Sequence, residues 1–400
     1  MEWAFNLIKD KNRTIIRAAS EGLAEGGHLE ILELLYKHKK LKPFFNLHIF
    51  AASGGHLHIL EWLIKNNYCS NNVLSDSYDY ICKEAAKNGH LKIIQWAYNR
   101  NSFVWNSFRG AAAGGHLDIL NWLVSIDAEL EPGFLLFAGK GGLKVLEWFQ
   151  SKGVALNEEV SEGAAEAGRL DVLSYLKEIG IPWSEEVCAR AAYGGHLELL
   201  KYLFKNGCKI DLKTCAFAAE GGHLEILKWL RENQCEWSER TIIRASHCGH
   251  LDILKWALEN GCKCDFQRSA SLAALGGHLK VVKYFVENNL DDINILDIAS
   301  SAAQNGHLDI LLYLEQKGFK FGDSVIGCAC RNGDLEMIEY LVQNGCKLTE
   351  EAAVEAFKGR QLEVLKWLRH QGCPFDAAVR EYKSGSYNPL WKWFKEEFEK

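Results

Sequence analysis

Nine Gly-His dipeptides and thirteen cysteines are the residues of this 400-residue chain with the most chemistry to offer. Imidazoles ligate metals and move protons, and thiolates ligate metals and attack electrophiles. The spacing argues against both uses. With His223 as reference, one slot recurs along the chain as His28, His56, His90, His116, Gly142, Arg169, His196, His223, His250, His278, His307, Asp334 and Gln361. The steps are 26 to 29 residues, apart from one of 34. A slot that takes Gly142, Arg169, Asp334 or Gln361 in neighbouring copies is a turn position and not a reaction site.

The cysteines follow the same register. Cys208, Cys235, Cys262, Cys346 and Cys373 stand twelve residues after the slot, where other copies carry Val154, Ile181, Leu290 or Phe319. Cys82, Cys188 and Cys215 stand eight before it. A free cysteine in such places serves as a small hydrophobe. Cys262-x-Cys264 and Cys328-x-Cys330 are the tightest spacings; neither is the two-residue spacing of zinc knuckles, and the second pair points to different sides of a helix. No metal, cofactor or catalytic residue is expected. There is no phosphate-binding loop, dinucleotide fingerprint, nucleophile elbow or kinase set, so the chain is read as no enzyme. A metal- or thiol-dependent enzyme using the Cys-x-Cys pairs is the alternative from another class. An odd number of cysteines scattered on repeat positions suits reduced thiols, hence a cytoplasmic or nuclear protein.

The elements that position these residues are read from the periodicity. Leu224, Ile226, Leu227, Trp229 and Leu230 make a helical stripe after the slot, with an acid such as Glu225 in the first turn. Upstream, Cys215, Ala218, Ala219 and Gly222 share one face of a shorter first helix whose small side chains allow close approach. The Gly before the slot ends that helix. A Gly-Cys or a relative ends the second helix, and four of the five prolines fall in the loop after it. The unit is helix, tight turn, helix, loop. The aromatic six after the slot, Trp229 in this copy, lies within the stripe and is assigned to packing between repeats.

With these motifs on the page, the unit resembles an ankyrin repeat. The Ala-Ala-x-x-Gly-His, the aliphatic second helix and the Gly-Cys recur over residues 14–373. The period is 27 rather than 33, and the Thr-Pro-Leu-His opening is absent. The resemblance therefore implies an all-α, ankyrin-like helical solenoid of about thirteen helix-turn-helix repeats, with short loops in place of β-hairpin fingers. This short, Trp-rich form is similar to ankyrin proteins of giant DNA viruses and some protists, which would put a viral member in the host cytoplasm. Residues 1–13 are expected to be an N-terminal capping helix, 14–373 the array, and 374–400 a degenerate C-terminal capping repeat. Copy one is read with an insertion near Glu21–Glu25. Only the polar stretch 70–79 has room for a full finger.

A net charge of −6 argues against nucleic-acid and anionic-membrane partners, and no apolar run is long enough to span a bilayer. The N-terminal residues do not read as a signal peptide. What remains is surface. Six and three residues before the slot, the first helix turns away from the core and varies between copies: Arg190 and Tyr193, Phe217 and Glu220, Arg244 and His247, Leu272 and Leu275. The resemblance implies a monomeric, non-enzymatic scaffold that binds another protein on this concave first-helix face. An adaptor recruiting targets to a ubiquitin ligase is the alternative, though residues 374–400 carry no box motif.

Overall fold

The apolar stripe after each slot gives a helix that starts at the next residue, a leucine in all thirteen copies, as in Leu224–Glu232 and Leu251–Glu259. In the computed structural model, residues 13–38, 46–66, 74–100, 104–288, 293–383 and 391–398 are described. Among them every regular element is helical, with one short 3-10 turn at Pro132–Phe134. Most of the expected capping helix at 1–13 lies outside the described residues.

The chain divides into two compact units, Met1–Cys208 and Lys209–Lys400. The first contains seven described helix pairs, from Arg13–Glu25 with Leu29–Lys37 to Val187–Tyr193 with Leu197–Lys205. The second contains seven more, from Leu212–Gly221 with Leu224–Glu232 to Asp376–Lys383 with Trp391–Phe398. Within each unit the first helices form the tightly packed layer, and neighbouring second helices touch little. The small side chains explain this. Ala218 and Ala219, Ala273 and Ala274, and Ala302 and Ala303 are fully buried where first helices meet. In the first unit the approach is closer still: a Cβ on Gly110 or Gly163 would collide with the carbonyl of Lys83 or Leu136.

The second helices carry the large aliphatic residues, and Ile253, Leu254, Ile310, Leu311 and Leu314 are wholly removed from solvent. Each such side chain contributes roughly 1.5–3 kcal/mol on burial. At the helix C-terminus a recurring asparagine closes the last turn. Asn206, Asn233 and Asn260 each donate Nδ2–H to the carbonyl of the aromatic four residues back, at 2.7–2.8 Å. The following residue is left-handed, as at Gly207 (φ 88°) and Gly261 (φ 81°). The next amide then bonds back to the carbonyl five residues earlier, Cys262 to Ala257 at 3.0 Å.

Three details differ from the sequence reading. Copy one has no insertion. Arg13–Glu25 is one continuous helix that buries Ser20, Leu23 and Ala24 at the positions that Cys215, Ala218 and Ala219 fill in copy eight. The earlier Ala18-Ala19 imitates the motif one turn too soon. The second concerns the stretch 70–79: Leu74–Lys87 is a single helix, so residues 74–79 form no finger, and 70–73 lie outside the described residues. The third is in copy five, where Gly142 does not replace the histidine. The turn there is one residue shorter, and Gly142 (φ 92°, ψ −175°) serves both as the residue ending Leu135–Gly141 and as the one opening Leu143–Ser151.

Candidate functional site

The slot histidines leave their own helices uncapped. Instead, in seven of these histidines Nε2 lies against the carbonyl oxygen three residues before the slot of the preceding copy. In the first unit the pairs are His56 with Glu25, His90 with Ser53, His116 with Lys87 and His196 with Glu166, at 2.9–3.1 Å. In the second they are His250 with Glu220, His278 with His247 and His307 with Leu275, at 2.9–3.1 Å. A carbonyl only accepts, so Nε2 carries the proton in each pair. Gln361 reproduces the bond, its Nε2 donating to the Arg331 carbonyl at 3.2 Å. Asp334 has no donor to offer; it turns inward, is buried, and caps its own helix by accepting from the Met337 amide at 3.3 Å. The slot is thus a joint between repeats, with a role beyond that of a turn.

The second glycine of Gly-Gly-His accompanies every histidine joint above, whereas Asn88, Cys248 and Asn305 replace the first before His90, His250 and His307. Where present, the first lies over the carbonyl the histidine binds: a Cβ on Gly194 would sit 2.1 Å from the Glu166 oxygen. The second is left-handed and rests on the next repeat's imidazole, a Cβ on Gly222 reaching within 2.6 Å of His250. Burial, the largest effect, holds the His278 imidazole below its ordinary range despite its bond to the His247 carbonyl.

The cysteines are similarly occupied. Cys235, Cys262 and Cys373 direct Sγ–H to the carbonyls of Asp211, Ser238 and Thr349, at 3.2–3.3 Å, tying the loop after the second helix to the start of the same repeat's first helix. Burial pushes the Cys82 thiol up to about 12, and Cys262, Cys264 and Cys373 up to about 11. Groups so raised stay protonated near neutrality and are poor nucleophiles. Cys215 donates to Cys235 at 3.5 Å; that bond raises the first thiol and lowers the second. Cys208 is lowered in the same way by its bond with Cys188. Among the described residues, no cluster of three or more histidine, cysteine or acidic side chains has metal-binding geometry. None of the described helices is long and apolar enough to cross a membrane.

The aromatics six after the slot pack across repeats. Trp62 meets Tyr36 edge-on at 5.6 Å, Trp148 donates Nε1–H to Asn121 at 2.9 Å, and Lys283 lies 5.1 Å over Tyr313. They do not form an open stacking ladder.

The first-helix outer row is half-exposed, and it is more engaged than its spacing suggests. In the first unit Tyr193 is half-buried, and Arg190 reaches back to Glu162 at 3.3 Å and Glu166 at 3.7 Å. Lys140 pairs with the same Glu166. In the second unit Glu220 and Arg244 are joined at 3.1 Å. His247 is exposed, while Phe217, Leu272 and Leu275 are half-buried. Sequence reasoning missed Glu162 and Glu166. The available signal was a carboxylate seven or three residues before the slot, opposite a cation six before the next. The Arg244–Glu220 pair, with its arginine side chain 47% exposed, contributes at most about 1 kcal/mol.

Comparisons with known proteins place residues 188–268, 215–297 and 242–322 under the family model "Ankyrin repeats (3 copies)", and residues 321–350 under "Ankyrin repeat". The first three matches begin at Cys188, Cys215 and Ile242, the residue eight before the slot in successive copies. No curated protein matches the chain. Among solved structures the human ASB11 ankyrin repeat domain is similar, at 22% identity and a TM-score of 0.34, over 40% of this chain and 84% of that one.

Proposed function

From the premise that residues 188–350 make this an ankyrin-repeat protein, we propose a non-enzymatic scaffold that binds another protein through the outer row of its first helices. Ankyrin repeats are generally protein–protein interaction modules. The observation that carries the choice of face is the contrast between constant backbone and changing side chain. At six and three before the slot the helix holds the same orientation from copy to copy. The residue there runs through Phe217, Arg244 and Leu272, and through Glu220, His247 and Leu275. Accessible aromatic and arginine side chains, such as Tyr193, Phe217 and Arg244, are the types enriched at interfaces. The slot, the alanines and the stripe repeat because they hold the stack together; the row is where copies differ.

Affinity capture followed by mass spectrometry tests this reading. Three tagged chains are compared: wild type, a first-unit variant (R190A/Y193A) and a second-unit variant (F217A/R244A/L272A). The reading expects reproducible partners of the wild type to be lost from at least one variant while its circular dichroism and melting stay close to wild type. Identical partner sets from all three chains refute the choice of face.

A further inference from the structure

We infer that the cleft between first helices Leu212–Gly221 and Glu239–Cys248 takes an acidic protein segment bearing one aliphatic or aromatic anchor. The inference rests on the protein-binding reading above and specifies the partner's chemistry. The cleft has a volume of about 740 Å³ and lies wholly within the second unit. Its apolar lining is Leu212, Ala216, Phe217 and Trp237. Leu212 is 42% exposed. Trp237 is held from two sides, with the Arg231 guanidinium 4.3 Å over its ring and Trp256 edge-on at 5.7 Å. A wall fixed in advance loses little entropy when a ligand arrives.

The rim is where this cleft departs from the rest of the molecule. Lys213, Arg240, Arg244 and Lys263 border it, against Glu239 as the one carboxylate among the lining residues. Arg244 is engaged by Glu220. Arg240 and Lys263 are exposed, and among the described residues neither forms an ion pair. A chain of net charge −6 thus gathers cations around one apolar recess. Carboxylates meeting that rim gain complementarity and faster association, and an apolar side chain must fill the floor to displace its water. A nucleic acid is disfavoured by the local nature of the patch, since backbone recognition needs many cations along a track.

A displayed library of random 12-residue peptides, panned on the full-length chain and counter-selected on an R240E/K263E variant, tests the inference. Enriched peptides are expected to carry at least two Asp or Glu around a Leu, Ile, Phe or Trp. The best of them, made with a fluorescein label, is expected to bind about tenfold or more weakly to R240E/K263E, and to weaken as NaCl rises. The milder R240Q/K263Q variant should fall between, and melting curves confirm that both variants fold. Failure to enrich, enrichment without acidic excess, equal affinity for wild type and R240E/K263E, or displacement of the peptide by equimolar single-stranded RNA would each overturn it. The two readings fail separately. Capture that depends on Phe217, Arg244 and Leu272 but ignores Arg240 and Lys263 sinks the acidic segment alone. Capture indifferent to every variant sinks both.

Discussion

Gly222 and Gly261 have almost the same left-handed backbone, φ 82° and 81°, in unlike surroundings. A Cβ on Gly222 runs into the His250 imidazole, whereas one on Gly261 meets nothing within 4 Å. The conformational cost of alanine is common to both, about 1–2 kcal/mol. Gly261→Ala is therefore expected to lose about that much stability in urea unfolding. Gly222→Ala is expected to lose a further ~1–3 kcal/mol, because a well-packed neighbour must move. Equal losses would mean that the turn alone fixes the Gly-Gly-His motif. At this scale the sequence signalled that glycine mattered but not why, because the atom it makes room for lies 28 residues downstream.

Between elements, the imidazole-to-carbonyl bond joins one repeat's turn to the end of the previous first helix. His250→Ala leaves the Glu220 carbonyl without its 3.1 Å partner, at a cost of about 1–2 kcal/mol. His250→Gln, which copies the natural arrangement at Gln361, should recover at least half of that loss. Urea midpoints of the two variants decide, and a glutamine variant no better than alanine would reduce the slot to a turn position. The helices themselves were legible in the sequence, since an aliphatic stripe repeated at a 27-residue step leaves little choice of register. Their errors have local causes. Ala18-Ala19 copies the Ala-Ala signature one turn early, and in copy five a deleted residue was read as a substitution because glycine fits both readings. The ion pairs from Arg190 to Glu162 and Glu166 were legible only as matching residue types, because the pairing itself depends on how far one first helix is set against the next. The cleft at Leu212 and Trp237 was missed for a related reason: it is bounded by two copies and a loop, and inspection one copy at a time shows only fragments of its wall.

For each unit as a whole, stacked pairs make stability a sum of repeat and neighbour contributions. Excising residues 250–277 joins Gly249 to His278 and sets that imidazole opposite the Glu220 carbonyl that His250 held. The shortened chain is expected to keep its helicity per residue and a cooperative urea transition at somewhat lower denaturant. Excision out of register, residues 250–263, removes Leu251–Glu259 but leaves Glu239–Cys248 without its second helix, and should not. If both deletions behave alike, the joints do not define the module.

The Gly-Gly-His joint also bears on how such a chain changes over generations. A splice at that point between two copies carrying Gly-His regenerates the same donor, the same acceptor and the same left-handed glycine, so copies can be gained or lost by unequal crossing-over without inventing a new seam. What such an event alters is the order of Phe217, Arg244 and Leu272 along the row. The side chains displayed along the row can therefore be reordered by recombination alone, with no point mutation in any of them.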